Sequence, residues 1–147
     1  MKIDIQNAEI VIDECVPAPL YYLFEQHNYS PVLGSIWEGK KNGKLLGLCR
    51  DNNVKVLVTC DKAMEREQIK NIHNYSVSIV ILNSKTNDED DVEPVVKQFI
   101  ELYLSNKSLF KERTIYFLDE KKLSQCFIQK ETNDGRVSIG YNDCIIF

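Results

Sequence analysis

The sequence lacks any apolar run approaching the ~18 residues that a membrane-crossing helix needs. Its opening, Met1-Lys2-Ile3-Asp4, places an acid among the first residues and has no basic region followed by a long apolar stretch. That is not a signal-peptide pattern, so a cytoplasmic location and no membrane partner are expected. Cysteine is present five times, as Cys15, Cys49, Cys60, Cys126 and Cys144, but no Cys-x-x-Cys pair occurs. The odd number and wide spacing argue against a disulfide framework and against a zinc site. Histidine is scarce, with only His27 and His73, neither in a ligand motif. There is no Gly-rich phosphate loop, no dinucleotide fingerprint and no G-x-S-x-G nucleophile turn. Internal repeats, low-complexity tracts and Pro- or Gly-rich linkers are also missing. What remains is ordinary in bulk, with 44% apolar and 27% charged residues over 147 positions. This suits one folded domain over 1–147 with a core large enough to stand without staples.

The charge is unevenly spread. The net value is −4, yet residues 40–70 carry eight bases against four acids, whereas residues 1–39 carry one base against six acids. A locally basic segment inside an acidic chain is either a phosphate-facing patch or a solvated helix face. Its cations are Lys40, Lys41, Lys44, Arg50, Lys62 and Arg66, among others.

Short apolar runs rich in β-branched residues alternate with amphipathic segments. Strands are expected at 8–13, 30–36 (with Pro31 at its beginning), 54–59, 77–82 and 114–118. Helices are expected around 20–24 after Pro17 and Pro19, over 44–50, over 62–72, and from Pro94 onward with Val95, Val96, Phe99, Ile100 and Tyr103 inward. Tyr21, Tyr22 and Phe24 are expected in the core. The acidic run Asp88–Asp91 reads as a solvated loop and helix N-terminus, because it lacks the alternating ligands of a calcium loop. Two runs, 123–128 and 136–141, flank Asn133-Asp134-Gly135 and read as a hairpin, with a last strand at 144–147. The expected fold is therefore α/β, with a mainly parallel sheet covered by helices, a core of about 1–118 and a C-terminal hairpin extension over 119–147.

Ligands of such sheets bind outside the carboxyl ends of the strands. Asp13 follows the first strand and Asp61 follows the 54–59 strand, so both fall on that edge. Carboxylates gathered there can hold Mg²⁺ or Mn²⁺, and such an ion serves phosphodiester hydrolysis. The competing reading is that both acids simply cap the segments that follow them.

Three motifs add a family resemblance. Ile12-Asp13-Glu14-Cys15-Val16-Pro17 resembles the opening "DENVP" motif of small PIN-like domains. Trp37-Glu38-Gly39-Lys40-Lys41-Asn42-Gly43-Lys44-Leu45-Leu46 resembles their "GW-G-KNGELL" segment, and Val56-Leu57-Val58-Thr59-Cys60-Asp61-Lys62 resembles their "VLLTVD+" motif. The order and spacing hold over roughly residues 8–104. The resemblance implies a three-layer α/β/α fold and a Mg²⁺- or Mn²⁺-dependent endoribonuclease, commonly the toxin of a toxin–antitoxin pair and commonly a homodimer. By the same resemblance Asp13 and Asp61 match the metal-binding, catalytic acids, Glu14 matches a frequent neighbour and is with Asn42 a further candidate metal ligand, and Thr59 matches the residue that shapes the turn before Asp61. The family places an acid where this chain has Asn42-Gly43-Lys44. Asn42 offers a carbonyl oxygen there, and Glu38 and Asp51 are the nearest acids able to substitute. Lys40, Lys41, Lys44, Arg50, Lys62 and Arg66 would then guide an RNA backbone. Two other readings stand beside this one. One is a degenerate PIN-like domain that binds nucleic acid or protein without cutting, with the hairpin as its partner surface. The other is an unrelated domain with a flavodoxin-like sheet, which strand order would reveal.

Overall fold

The computed structural model describes residues 2–147. Its strands are β1 (Ile10–Ile12), β2 (Tyr29–Pro31), β3 (Val56–Thr59), β4 (Ser78–Leu82), β5 (Thr114–Leu118), β6 (Lys122–Glu131) and β7 (Val137–Ile146). They form a seven-stranded sheet in the order β2-β1-β3-β4-β5-β6-β7. The first five run parallel, while β6 and β7 continue the sheet antiparallel. Within the parallel part the order 2-1-3-4-5 is that of flavodoxin-like doubly wound sheets, the strand order that the third of the readings above expects. That topology hosts many functions, so it fixes where a site lies rather than what the site does. The chain leaves β1 for β2 on one side and then returns past β1 to β3 on the other. The switch point is thus the seam between β1 and β3.

β1, β3 and β4 are buried along their whole length. This is why they read as continuous β-branched runs instead of alternating ones. One sheet face presents Ile10, Ile12, Val56, Val58 and Val80 to Leu20 and Phe24 of a 3-10 segment at Ala18–Phe24, and to the long helix Glu89–Ser105. The other face presents Val11, Leu57, Ile79 and Ile81 to Trp37, to Leu45, Leu46 and Cys49 of the helix Asn42–Asp51, and to Met64 of the short helix Ala63–Gln68. In chain order these helices are α1 (Asn42–Asp51), α2 (Ala63–Gln68) and α3 (Glu89–Ser105). Helices therefore lie on both faces. The apolar clusters also take in Leu123 and Cys126, so the core reaches past residue 118.

Several local expectations are corrected. The second strand ends at Pro31 instead of reaching Ile36. The chain turns at Gly34, whose φ is +83°, and the Ser35 hydroxyl donates to the Val32 carbonyl, leaving Leu33 and Ile36 exposed. α3 begins at Glu89, five residues before Pro94. The acids Glu89, Asp90 and Asp91 favour the positive end of the helix dipole, and Pro94 deprives only the Asp90 carbonyl of its i+4 donor. Buried Val92, Val95, Val96, Phe99 and Tyr103 give α3 its inward stripe. The helix expected over 62–72 stops at Gln68, and a 3-10 turn at Ile72–Asn74 follows. Tyr22 points outward and is 53% exposed, whereas Phe24 is fully buried. The 144–147 segment is no separate strand, because β7 runs unbroken to Ile146.

At the sheet edge opposite the switch-point cleft, Glu9 accepts hydrogen bonds from Tyr103 Oη (2.6 Å) and Lys107 Nζ (3.0 Å). Burial works against its charge, but these donors prevail and hold the carboxyl below its ordinary 4.5. His27 packs edge-on against Tyr103 at 5.1 Å between centroids. Burial and then the Lys107 charge push His27 below its ordinary 6.5, against the opposing Glu9 charge. Each group binds fewer protons folded than unfolded, so each makes stability rise with pH. The His27 contribution is complete above pH 6.5 and is lost as the pH falls below it. The Glu9 contribution is complete above pH 4.5 and is lost as the pH falls through its lowered folded value. Thermal unfolding followed between pH 3 and 8 is expected to show a shallower acid decline below pH 4.5 in Glu9→Gln than in the parent chain.

Candidate active site

The carboxyl ends of β1 and β3 meet at the seam, where the Asp13 N–H donates to the Val58 carbonyl at 2.9 Å. Thr59, the last residue of β3, is fully buried and organises the acids on either side. Its hydroxyl donates to Asp13 Oδ2 at 2.7 Å and accepts the Asp61 backbone N–H at 3.0 Å. The second contact is the hydroxyl-to-backbone turn that Ser and Thr favour. Asp13 Oδ1 also accepts the Glu14 N–H at 2.9 Å. Asp61 Oδ1 accepts the Ala63 N–H at 3.0 Å, so Asp61 both faces the seam and starts the α2 turn. Neither acid is a helix N-cap, since Lys62 holds that position before α2 and Pro17 holds it before the 3-10 segment, so the capping reading fails.

Above the acids lies an open cleft of about 800 Å³ lined by Asp13, Glu14, Cys15, Gly39, Lys40, Asn42, Cys60, Asp61, Lys62, Lys85, Thr86 and Asn87. Lys40 and Lys62 reach it. Lys62 is tethered, since its Nζ donates to the Ser84 carbonyl at 2.6 Å. Lys41, Lys44, Arg50 and Arg66 do not line it. Lys41 and Lys44 are exposed at the start of α1. Arg50 pairs with Asp51 at 3.0 Å and sits over the Tyr75 ring at 5.6 Å. Arg66 lines a separate hollow beside Glu65, Glu67 and Phe117. The expectation of six cations around one site therefore reduces to two, because α1 turns its basic residues away while Leu45 and Leu46 face the sheet.

Glu14 is drawn off as well. Its Oε1 accepts the Gly39 N–H at 2.6 Å. Gly39 has φ +79°, a backbone shape that glycine adopts without strain, so Glu14 clasps the loop that carries Lys40. Asn42 does stand where the resemblance places an acid. Its Nδ2 donates to Asp61 Oδ2 (3.2 Å) and to Glu67 Oε2 (2.8 Å), lying between two carboxylates. The acid that comes nearest this position is thus Glu67 of α2. Glu38 instead pairs with Lys2 at 2.9 Å, and Asp51 pairs with Arg50.

Sequence reasoning missed four participants. Lys85 enters from the loop after β4. Glu67 enters through Asn42. Tyr21 keeps a buried hydroxyl with no hydrogen-bond partner, and burial, then the charges of Cys15, Asp13 and Glu14, push its pKa up. Cys15 lies 3.2 Å from Thr59 Oγ1 and accepts the Cys60 N–H at 3.1 Å. A hydrogen bond from the Cys60 thiol holds the Cys15 thiol below its ordinary value, against burial and the Asp13 charge. Nothing local in the sequence marks Glu67, which lies outside any same-face helical spacing from Asp61. The others depend on how loops fold back.

α2 is locked in place from the hairpin. Glu65 is 7% exposed, and both its oxygens accept from Tyr141 Oη, at 2.9 and 2.8 Å, with Cys126 Sγ at 3.3 Å. Tyr141→Phe removes the main donor to this buried carboxylate. A loss of about 1–3 kcal/mol is expected. That corresponds to a melting temperature lower by roughly 3–9 °C in a thermal scan.

The donors available to a cation are the carboxylate oxygens of Asp13 and Asp61, hard ligands of the kind Mg²⁺ takes, whereas Asn42 turns its amide nitrogen and not its oxygen to Asp61. Among the described residues, no group of three or more His, Cys, Asp and Glu converges to hold a metal. No helix among them is long and apolar enough to cross a membrane. The chain shows no significant match to a known protein family, a curated protein or a solved structure.

Proposed function

We propose that the protein is a Mg²⁺- or Mn²⁺-dependent endoribonuclease whose ion is held jointly by the protein and the RNA. The observation that carries this reading is the pairing of Asp13 and Asp61 through Thr59 at the switch point, under an open cleft with lysines at its rim. Mg²⁺ is commonly held by one or two carboxylates together with substrate phosphates and water, so two acids suffice when the substrate completes the set. The cleft's own charges agree. Three carboxylates (Asp13, Glu14, Asp61) balance three ammonium groups (Lys40, Lys62, Lys85), so the lining alone offers a phosphate no net attraction.

Asp13 and Asp61 hold the ion, with Asn42 beside them. When bound, the ion neutralises charge on the scissile phosphate and activates water. Thr59 keeps both acids at fixed positions. Lys40, on the loop clasped by Glu14, and Lys62, braced on Ser84, hold backbone phosphates as point charges. Lys85 does the same from the far rim. The three-layer PIN-like arrangement, the antitoxin partner, the homodimer and the cytoplasmic location belong to this reading and rest on the motif resemblance.

The test is calorimetric titration of Mn²⁺ with and without a single-stranded RNA oligonucleotide, followed by gel analysis of the RNA. Ion affinity is expected to tighten by about tenfold or more with RNA present, the scale of an ordinary coupling energy. The gain should vanish in Asp13→Asn. No Mn²⁺ binding by the folded chain even with RNA present sinks the proposal.

A second reading is favoured by one contact. The Asn42 amide nitrogen, set between Asp61 and Glu67, occupies the place where a cation would bridge two acids. In that reading the domain binds nucleic acid or protein without cutting, and RNA binding would persist unchanged when Mn²⁺ is chelated.

A further inference from the structure

We propose that Cys15 and Cys60 form a peroxide-sensitive dithiol on the floor of the cleft, and that their oxidation to a disulfide switches the site off. The two residues leave β1 and β3 side by side, on adjacent strands paired Ile12↔Val58. Cys15 Sγ lies 3.1 Å from the Cys60 backbone nitrogen, whose N–H it accepts. Both line the cleft. Their accessibility differs: Cys15 is half-buried, while Cys60 is 2% exposed. A small oxidant entering the cleft therefore meets Cys15 first and finds Cys60 already against it.

The chemistry balances with hydrogen peroxide as the oxidant. The Cys15 sulfur attacks one peroxide oxygen, the O–O bond breaks, and the departing hydroxide takes the thiol proton to give water and a sulfenic acid. The Cys60 sulfur then attacks the sulfenic sulfur. Its hydroxyl leaves with the Cys60 proton as a second water, and the S–S bond forms. Two electrons pass from two thiols to one peroxide.

The remaining cysteines are poorly placed to compete within the chain. Cys49 is buried under α1, Cys126 is buried against Glu65, and Cys144 is exposed on β7. The consequence for the site is local. The Cys15 thiol now lies 3.6 Å from Asp13 Oδ2 and 3.2 Å from the hydroxyl that fixes both acids. Drawing its sulfur onto Cys60 takes that contact from Asp13 and Thr59 and joins the two loops covalently.

The experiment uses the full chain carrying Cys144→Ser, which removes bridging between molecules through the exposed thiol. The reduced protein is treated with hydrogen peroxide, quenched with an alkylating agent under denaturation and digested for mass analysis. Free thiols are expected to fall from four to two, with a Cys15–Cys60 linked peptide that dithiothreitol reverses. In Cys60→Ser, Cys15 is expected to be trapped as a sulfenic acid by dimedone. Four thiols persisting under peroxide, or a bridge between any other pair, overturns the proposal. The thiol count needs no enzymatic activity, so it stands or falls apart from the nuclease reading. Mn²⁺ titration of the oxidised chain, with RNA present, then reads the switch. Undiminished binding by the fully oxidised form overturns the regulatory part.

Discussion

Replacing Asp61 with Asn is expected to abolish RNA cleavage while leaving the fold standing. The two halves of that result have separate causes. Asn retains a side-chain oxygen that can accept the Ala63 N–H now bound by Asp61 Oδ1 at 3.0 Å, and Asn and Asp both form such turns to the backbone two residues on. The new amide nitrogen takes the place of Asp61 Oδ2 and cannot accept from Asn42, which keeps Glu67 as its acceptor. A stability change within about 1 kcal/mol follows. What is lost is charge. Two carboxylates are all the site brings to a divalent ion, and removing one leaves the lining with a net positive balance that repels a cation. Metal-based stabilisation of a phosphoryl transition state is worth several kcal/mol, so a fall of about a thousandfold in cleavage rate is the expected scale. Thermal unfolding and a gel-based cleavage assay on the same preparation check both halves. Full cleavage by a folded Asp61→Asn chain removes the acid pair from the mechanism.

The parallel strands were legible because burial on both faces writes them as unbroken β-branched runs, as in Val56–Thr59 and Ser78–Leu82. Their order was not, since nothing local in Tyr29–Pro31 says that it pairs outside β1. The edges of elements misled where one residue type has two uses. Pro94 reads as a helix start, yet the acids before it had already begun the helix. Ile36 reads as strand, yet a left-handed Gly34 had turned the chain. At the site, Asp13 and Asp61 were legible because residues that follow buried parallel strands must emerge on one edge. Lys41, Lys44 and Arg50 were misplaced because a charge count carries no direction, and α1 is oriented by Leu45, Leu46 and Cys49. Glu14 reads as a ligand in the sequence because its partner, the Gly39 amide, comes from a loop 25 positions on. Lys85 and Tyr21 were invisible for the same reason: both are brought in by chain return, which periodicity does not encode.

Thr59→Val tests whether the site depends on one buried hydroxyl. Valine matches threonine in shape but neither donates nor accepts. The substitution strips Asp13 Oδ2 of its 2.7 Å donor, leaves the Asp61 N–H without its acceptor, and removes the oxygen beside Cys15. A hydrogen bond to a charged group is worth about 1.5–3 kcal/mol, and an orphaned buried donor adds to that, so a loss of about 2–4 kcal/mol is expected. The effect on cleavage should exceed what stability alone explains, because Asp13 and Asp61 lose their common anchor while the folded fraction stays high. Thr59→Ser separates the two roles. It keeps the hydroxyl and gives up a methyl group in a fully buried position, so it should lose stability of order 1 kcal/mol yet retain cleavage close to the parent. Equal cleavage in the Val and Ser chains would show that Thr59 only packs. Cleavage preserved in Ser and lost by about a hundredfold in Val, at matched folded fractions, would mark it as the residue that positions both acids.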